Sequence, residues 1–108
     1  MRSRDAYVAI ADSTRRRILD VLHRKGTLAA GDIADRFPTV SRPGISKHLR
    51  VLRDCGVVDV RRRGKAQLYT LRSGPLQNMR DGWLGKFGDM QRDSLKALRA
   101  KIESKPQQ

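Results

Sequence analysis

The chain has 108 residues, enough for one domain, and 24 Lys and Arg against 11 Asp and Glu leave a formal net charge of +13. Such an excess on a small chain points to a polyanionic partner, since neutralising phosphates releases condensed counterions, and ranks nucleic acid above small acidic substrates. No apolar run approaches the ~20 residues of a membrane span and no signal-like block follows Met1-Arg2-Ser3-Arg4, so a cytoplasmic protein with no membrane partner is expected. Hydrophobic content of 38% is modest but sufficient for a core, particularly one completed by a second copy. The lone Cys55 excludes an intramolecular disulfide; at a helix end it reads as a small core or cap residue rather than a redox switch.

A short first helix is expected over Asp5–Ala11, with Tyr7, Val8 and Ile10 as its apolar residues. It is too short to be stable alone. Asp12-Ser13 should cap a second helix, Thr14 to about Lys25, whose stripe is Ile18, Leu19 and Leu22 and whose stop is Gly26. Arg15, Arg16 and Arg17 spread around its circumference, so they read as solvated or paired, Arg16 with Asp20 for example. His23 reads as a surface residue favourable to the helix dipole.

A third helix from about Ala30 to Phe37 would bury Ile33, Ala34 and Phe37 and end at Pro38. Thr39 and Val40 alone then separate it from Ser41, whose hydroxyl can cap a fourth helix that tolerates Pro43 in its first turn. Ile45, Leu49 and Leu52 recur at four and three and must face a core, while Pro43, Lys47, Arg50 and Asp54 form the opposite face. Cys55-Gly56 stops the helix. Two helices joined so tightly form a helix-turn-helix, in which the second enters the major groove.

Beyond Gly56 the period changes to two: Val58 and Val60 alternate with Asp59 and Arg61, and Leu68 and Thr70 with Gln67, Tyr69 and Leu71. This is a hairpin signature with Gly64 in the turn and Arg61, Arg62, Arg63 and Lys65 at its tip. An isolated basic run is ordinarily only a solvated face. Directly after a capped helix with a basic outer face, it reads as a wing that meets the adjacent backbone or minor groove. The expected fold is mostly α with a small β-hairpin wing (α+β): a winged helix-turn-helix core over 12–73 and a terminal dimerisation helix over 74–104, in one domain. Contacts to double-stranded DNA are expected from Ser41, Arg42, Pro43, Gly44, Ser46, Lys47 and Arg50 on the helix, and from Arg61, Arg62, Arg63, Lys65, Gln67 and Tyr69 on the wing.

From Pro75 to about Ser104 the chain reads as one long or bent helix with a stripe of Leu76, Met79, Trp83, Phe87, Met90, Leu95, Leu98 and Ile102. The stripe exceeds what the winged domain can cover, so a second copy is its expected partner. Tyr7, Ile10, Leu76, Met79, Trp83, Phe87, Met90 and Leu98 are the expected dimer interface. A ligand pocket at Trp83 and Phe87 is the alternative use of the stripe. Gly82, Gly85 and Gly88 within it imply a close crossing or a kink, and Lys105–Gln108 a frayed tail.

The stretches DSTRRRILDVL (12–22), DIADRF (32–37), VSRPGISKHLRVLRDCGVV (40–58) and RRRGKAQLYTL (61–71) together resemble the ArsR-type winged-helix transcriptional repressors, over roughly residues 5–73. The resemblance implies a homodimer that represses transcription by occupying an operator, palindromic if the dimer is two-fold symmetric. It also implies that His48 supports the reading helix or touches DNA. The metal-sensing members carry a Cys-x-Cys-Asp-Leu element where this chain has Ala29, Gly31, Asp32 and Ile33, and the only histidines are His23 and His48. Asp89, Asp93 and Glu103 read as solubilising carboxylates, so neither a metal nor any other cofactor is expected, and the effector stays open.

Two other classes compete. An RNA- or ribosome-associated protein would share the charge but should show aromatic stacking positions, and aromatic residues are only 5% of the chain. An enzyme should show a Ser/His/Asp set, a nucleotide-binding glycine loop or paired buried carboxylates, and none can be picked out.

Overall fold

A computed structural model describes residues 5–82, and the chain divides into two units, Met1–Leu76 and Gln77–Gln108. The first helix, α1 (Ala6–Ile10), is capped by Asp5, whose carboxylate accepts from the backbone N–H of Tyr7 and Val8. Ala6 and Ala9 are the buried residues, and Tyr7 is 41% exposed. Small residues at spacing three let so short a helix lie close, with Val8 and Ile10 half-buried at the flanks.

Asp12 caps α2 (Ser13–Lys25) by accepting from Arg15 N–H, and Gly26 ends it at φ +82°, a conformation open to Gly without strain. Ile18, Leu19, Val21 and Leu22 are buried. Val21 widens the expected stripe. The two-residue strand β1 (Leu28–Ala29) follows, then α3 (Ala30–Asp35). That helix stops two residues short of the expected Phe37. Arg36 N–H and Phe37 N–H reach back to the carbonyls of Ile33 and Ala34, a tightening of the last turn, and Pro38 has no N–H with which to continue. The link to the next helix is therefore six residues, Arg36–Ser41, pinned by the buried Phe37.

Ser41 caps α4 (Arg42–Asp54) through its hydroxyl, which accepts from Gly44 N–H at 3.1 Å, with Pro43 in the first turn. Ile45, Leu49 and Leu52 are buried as their spacing requires. At about 1.5–3 kcal/mol for each fully buried side chain, they fix which face of α4 is left outward. Cys55 is buried at the helix end, and Gly56 turns the chain at φ +75°.

The strands β2 (Val58–Arg63) and β3 (Ala66–Leu71) pair antiparallel around Arg63-Gly64-Lys65-Ala66, with Val58 opposite Leu71 and Val60 opposite Tyr69. The small strand β1 adds to the other edge of β3, pairing Leu28 with Tyr69, so the sheet order is β1-β3-β2. Thr27 and Thr70 hydroxyls meet at 2.8 Å beside that edge. The final described helix is α5 (Gly74–Asp81). Leu76 and Met79 on it are half-buried. Trp83, Phe87, Met90, Leu95, Leu98 and Ile102, the glycines Gly85 and Gly88, the carboxylates Asp89, Asp93 and Glu103, and the tail Lys105–Gln108 lie outside the described residues.

Candidate nucleic-acid interface

The outward face of α4 follows from what its inward face buries. With Ile45, Leu49 and Leu52 in the core, Ser41, Arg42, Pro43, Ser46, Lys47 and Arg50 are all exposed, and Gly44 is half-buried. A Cβ at Gly44 would stand 3.1 Å from both Ser41 Oγ and Val40 Cγ1, so glycine there lets the cap and the turn close on each other. Arg42 donates to Asp35 Oδ1 at 2.8 Å, bridging the start of α4 to the end of α3. Both side chains are mostly exposed, and a surface pair of this kind is easily exchanged for a phosphate partner.

His48 occupies a different position from its neighbours. It is half-buried, and its Nδ1 lies 3.3 Å from Arg15 Nη1 and 3.8 Å from Asp12 Oδ2 at the start of α2. A guanidinium only donates, so the shorter contact makes Nδ1 the acceptor. This edge of the ring supports the reading helix from behind. Arg15 also donates through Nε to Ala9 O (3.1 Å) and through Nη2 to Val8 O (3.0 Å), while Arg16 Nη1 donates to Ile10 O at 2.6 Å. These arginines reach the last carbonyls of α1, adding a second donor at Val8 O, which also accepts from Ala11 N–H, and supplying side-chain donors at Ala9 O and Ile10 O, whose turn is not continued. The expected Arg16–Asp20 pairing does not form. Nothing in local helical spacing marks Arg15 and Arg16 for this duty, because their partners lie six or seven residues away across a bend.

Asp12 joins the same cluster. The Arg15 backbone N–H holds its carboxyl below the ordinary 3.8, with the charge of Arg15, and that of His48 when its ring is protonated, adding to the effect and partial burial opposing it.

On the hairpin, Arg61, Arg62, Arg63, Lys65 and Gln67 are exposed around Gly64, which takes φ +61°. They form a basic tip. Tyr69 does not join it: the side chain is 7% exposed, and its hydroxyl donates to Gln67 Oε1 at 3.4 Å. Burial pushes that hydroxyl above its ordinary 10.0, against the pull of the Arg53 charge. The expectation that Tyr69 contacts DNA is thus corrected. Directly opposed residues share a face, and Val60 opposite Tyr69 draws the ring to the core side, while Leu68 lies opposite Arg61 on the other.

Among the described residues no three His, Cys, Asp or Glu side chains are grouped so as to hold a metal ion, and no helix is long and apolar enough to cross a membrane.

A capped reading helix behind a short turn, followed by a basic hairpin packed on the same core, defines a winged helix-turn-helix domain. A helix-turn-helix domain family matches residues 10–61. Over 74 residues the chain is 42% identical to the transcriptional repressor SdpR of Bacillus subtilis, covering 68% of this chain and 80% of that protein. It is 38% identical over 83 residues to an uncharacterized HTH-type transcriptional regulator of the same organism, YuzN, covering 72% of this chain and 90% of that one. The structure of an ArsR-like transcriptional regulator from Rhodococcus sp. RHA1 superposes with a TM-score of 0.69 at 32% identity, over 93% of this chain and 89% of that one. The chain belongs to the ArsR-type family of winged helix-turn-helix transcriptional regulators.

Proposed function

We propose that this DNA-binding transcriptional regulator is a repressor that acts as a homodimer on a palindromic operator. In this reading α4 lies in the major groove, Lys47 and Arg50 meet base edges, and the wing tip Arg61–Lys65 grips the neighbouring backbone or minor groove. The observation that carries it is the pairing of a packed inner face, Ile45, Leu49 and Leu52, with an exposed basic outer face on a helix followed at once by an exposed basic hairpin. A solvated charge run needs no such scaffold. The repressor sense is supported by the name of the relative SdpR. Dimerisation is supported by geometry: one reading helix spans a few base pairs, whereas two related by a two-fold axis reach successive major grooves about 34 Å apart. The test is selection of bound duplexes from a random pool. Inverted half-sites about 10 base pairs apart centre to centre are expected. Recovery of single, unrepeated sites would remove the dimer, and stronger retention of RNA than of duplex DNA at fixed salt would remove the reading altogether.

A further inference from the structure

The three consecutive arginines of α2 divide their work. Arg15 and Arg16 are engaged on the carbonyls of Val8, Ala9 and Ile10. Arg17 instead lines an open cleft of about 440 Å³ between α2 and the α3–α4 link, with Asp20 and Arg24 from the same helix and Arg36, Phe37 and Thr39 from the link. Arg17, Asp20 and Arg24 are spaced by three and four and so share a helical face. Phe37 is buried, which gives the cleft a fixed wall, and the three arginines are exposed. Among the described residues none of the three guanidiniums forms an ion pair, and Asp20 neutralises none of them within salt-bridge distance. Three guanidinium charges against one carboxylate make the cleft positive.

Its place in the chain says what it can meet. Thr39, on its lip, is two residues before Ser41, the cap of α4. Successive Cα atoms are at most ~3.8 Å apart, so the lip and the cap lie within about 8 Å. The N-terminal residues of a reading helix are the ones that contact base edges, and a phosphate backbone borders every groove so entered. We propose that the Arg17–Arg24–Arg36 cleft seats a backbone phosphate of the bound DNA, beside the groove read by α4. The inference rests on the DNA-binding reading above and adds a third region of contact to helix and wing. Planar guanidiniums suit the site because each can present two N–H donors to a phosphate.

The experiment measures the salt dependence of binding to a short random-sequence duplex by the wild type and by a variant with Arg17→Gln, Arg24→Gln and Arg36→Gln. The slope of log K against log salt should become shallower by about 0.9 for each phosphate no longer neutralised, hence by about 2 for a dimer with one phosphate in each cleft. Lysine at the same three positions keeps the charges and should hold the slope near the wild-type value. A control of equal net charge, Lys25→Gln, Arg72→Gln and Arg80→Gln, should also keep it, and melting curves establish that each variant folds. An unchanged slope in the glutamine variant, or an equal fall in the control, overturns the cleft as a DNA seat while duplex binding itself stands. Arginine-dependent binding of inorganic pyrophosphate that does not compete with duplex also overturns it, in favour of a small-anion site. Failure of the wild type to bind any duplex overturns the underlying reading and this inference together.

Discussion

At Asp12 one carboxylate serves two elements, capping α2 through Arg15 N–H at 3.0 Å and standing 3.8 Å from His48 on the reading helix. Replacement by Ala should cost about 1 kcal/mol, the usual worth of a cap. The side chain is 38% exposed, so its ionic contacts are screened and the cap bond carries most of that cost. Its folded-state pKa lies below the ordinary 3.8, so the folded chain binds this proton less tightly than the unfolded chain. The stabilisation is therefore complete above the ordinary value and is lost as pH falls through it towards the folded one. Urea melts of wild type and Asp12→Ala should show the stability gap at neutral pH shrinking towards pH 3; a gap that is constant or widens in acid would contradict the assignment. Tyr69 gives the complementary case. As a core residue, Tyr69→Ala should lower stability by about 3 kcal/mol, as large-to-small aromatic truncations do, while folded protein keeps its preference for one DNA sequence over another. Changed sequence preference at wild-type stability would return Tyr69 to the interface. Its position is hard to read because period two says which residues share a face but not which face is the core, and a Tyr suits either side. Arg15 and Arg16 are hidden for another reason: their acceptors are backbone carbonyls, and backbone carbonyls carry no sequence signal.

At the scale of elements, the caps and breakers do most to make the fold legible. Asp12, Ser41, Gly26 and Gly56 mark the bounds of α2 and α4 to within a residue or so, because a side-chain oxygen that satisfies first-turn N–H groups and a glycine at positive φ are local devices. The strand β1 has no such mark. Two residues cannot display a period, and Leu28–Ala29 is extended because β3 offers it an edge, a partner about forty residues away. The end of α3 is hard to place for a similar reason, since Phe37 is buried by the link rather than by a helical turn. The division of labour between helix and wing leads to a paired prediction. Lys47→Ala or Arg50→Ala should reduce discrimination between a selected operator and random duplex by ~1–3 kcal/mol if either makes a bidentate base contact. Arg62→Ala or Arg63→Ala should weaken both duplexes alike and lower the salt slope by about 1 for each phosphate the wing then leaves to its counterions. Titration of the two duplexes in parallel checks this; wing variants that shift sequence preference more than helix variants would reverse the roles.

For the whole molecule the question is what α1 leaves outside. Its buried residues are Ala6 and Ala9, Ile10 is half-buried, and Tyr7 is the one large hydrophobic residue exposed among those described. An aromatic side chain kept at a surface is best explained by burial elsewhere, since aromatic residues dominate interface energetics. The stripe Leu76, Met79, Trp83, Phe87, Met90 and Leu98 is the proposed partner surface across a two-fold axis, and its aromatic members should be the anchors. Affinity for a palindrome then depends on association: two phosphate-binding heads held together give a steeper salt slope and a longer footprint than one. If each protomer neutralises ~4–5 phosphates, the dimer slope should be roughly −7 to −9, and a slope shallower than about −3 is incompatible with two heads. A Trp83→Ala, Phe87→Ala variant should lose ~2–4 kcal/mol of association per truncated anchor and bind operator more weakly, though it alters no residue of the helix or the wing. Sedimentation and operator titration of the same preparation decide the matter, because the two losses must appear together and must both be relieved by raising protein concentration. A variant that stays dimeric with undiminished affinity would place the interface elsewhere and leave the Trp83–Phe87 stripe to a bound ligand.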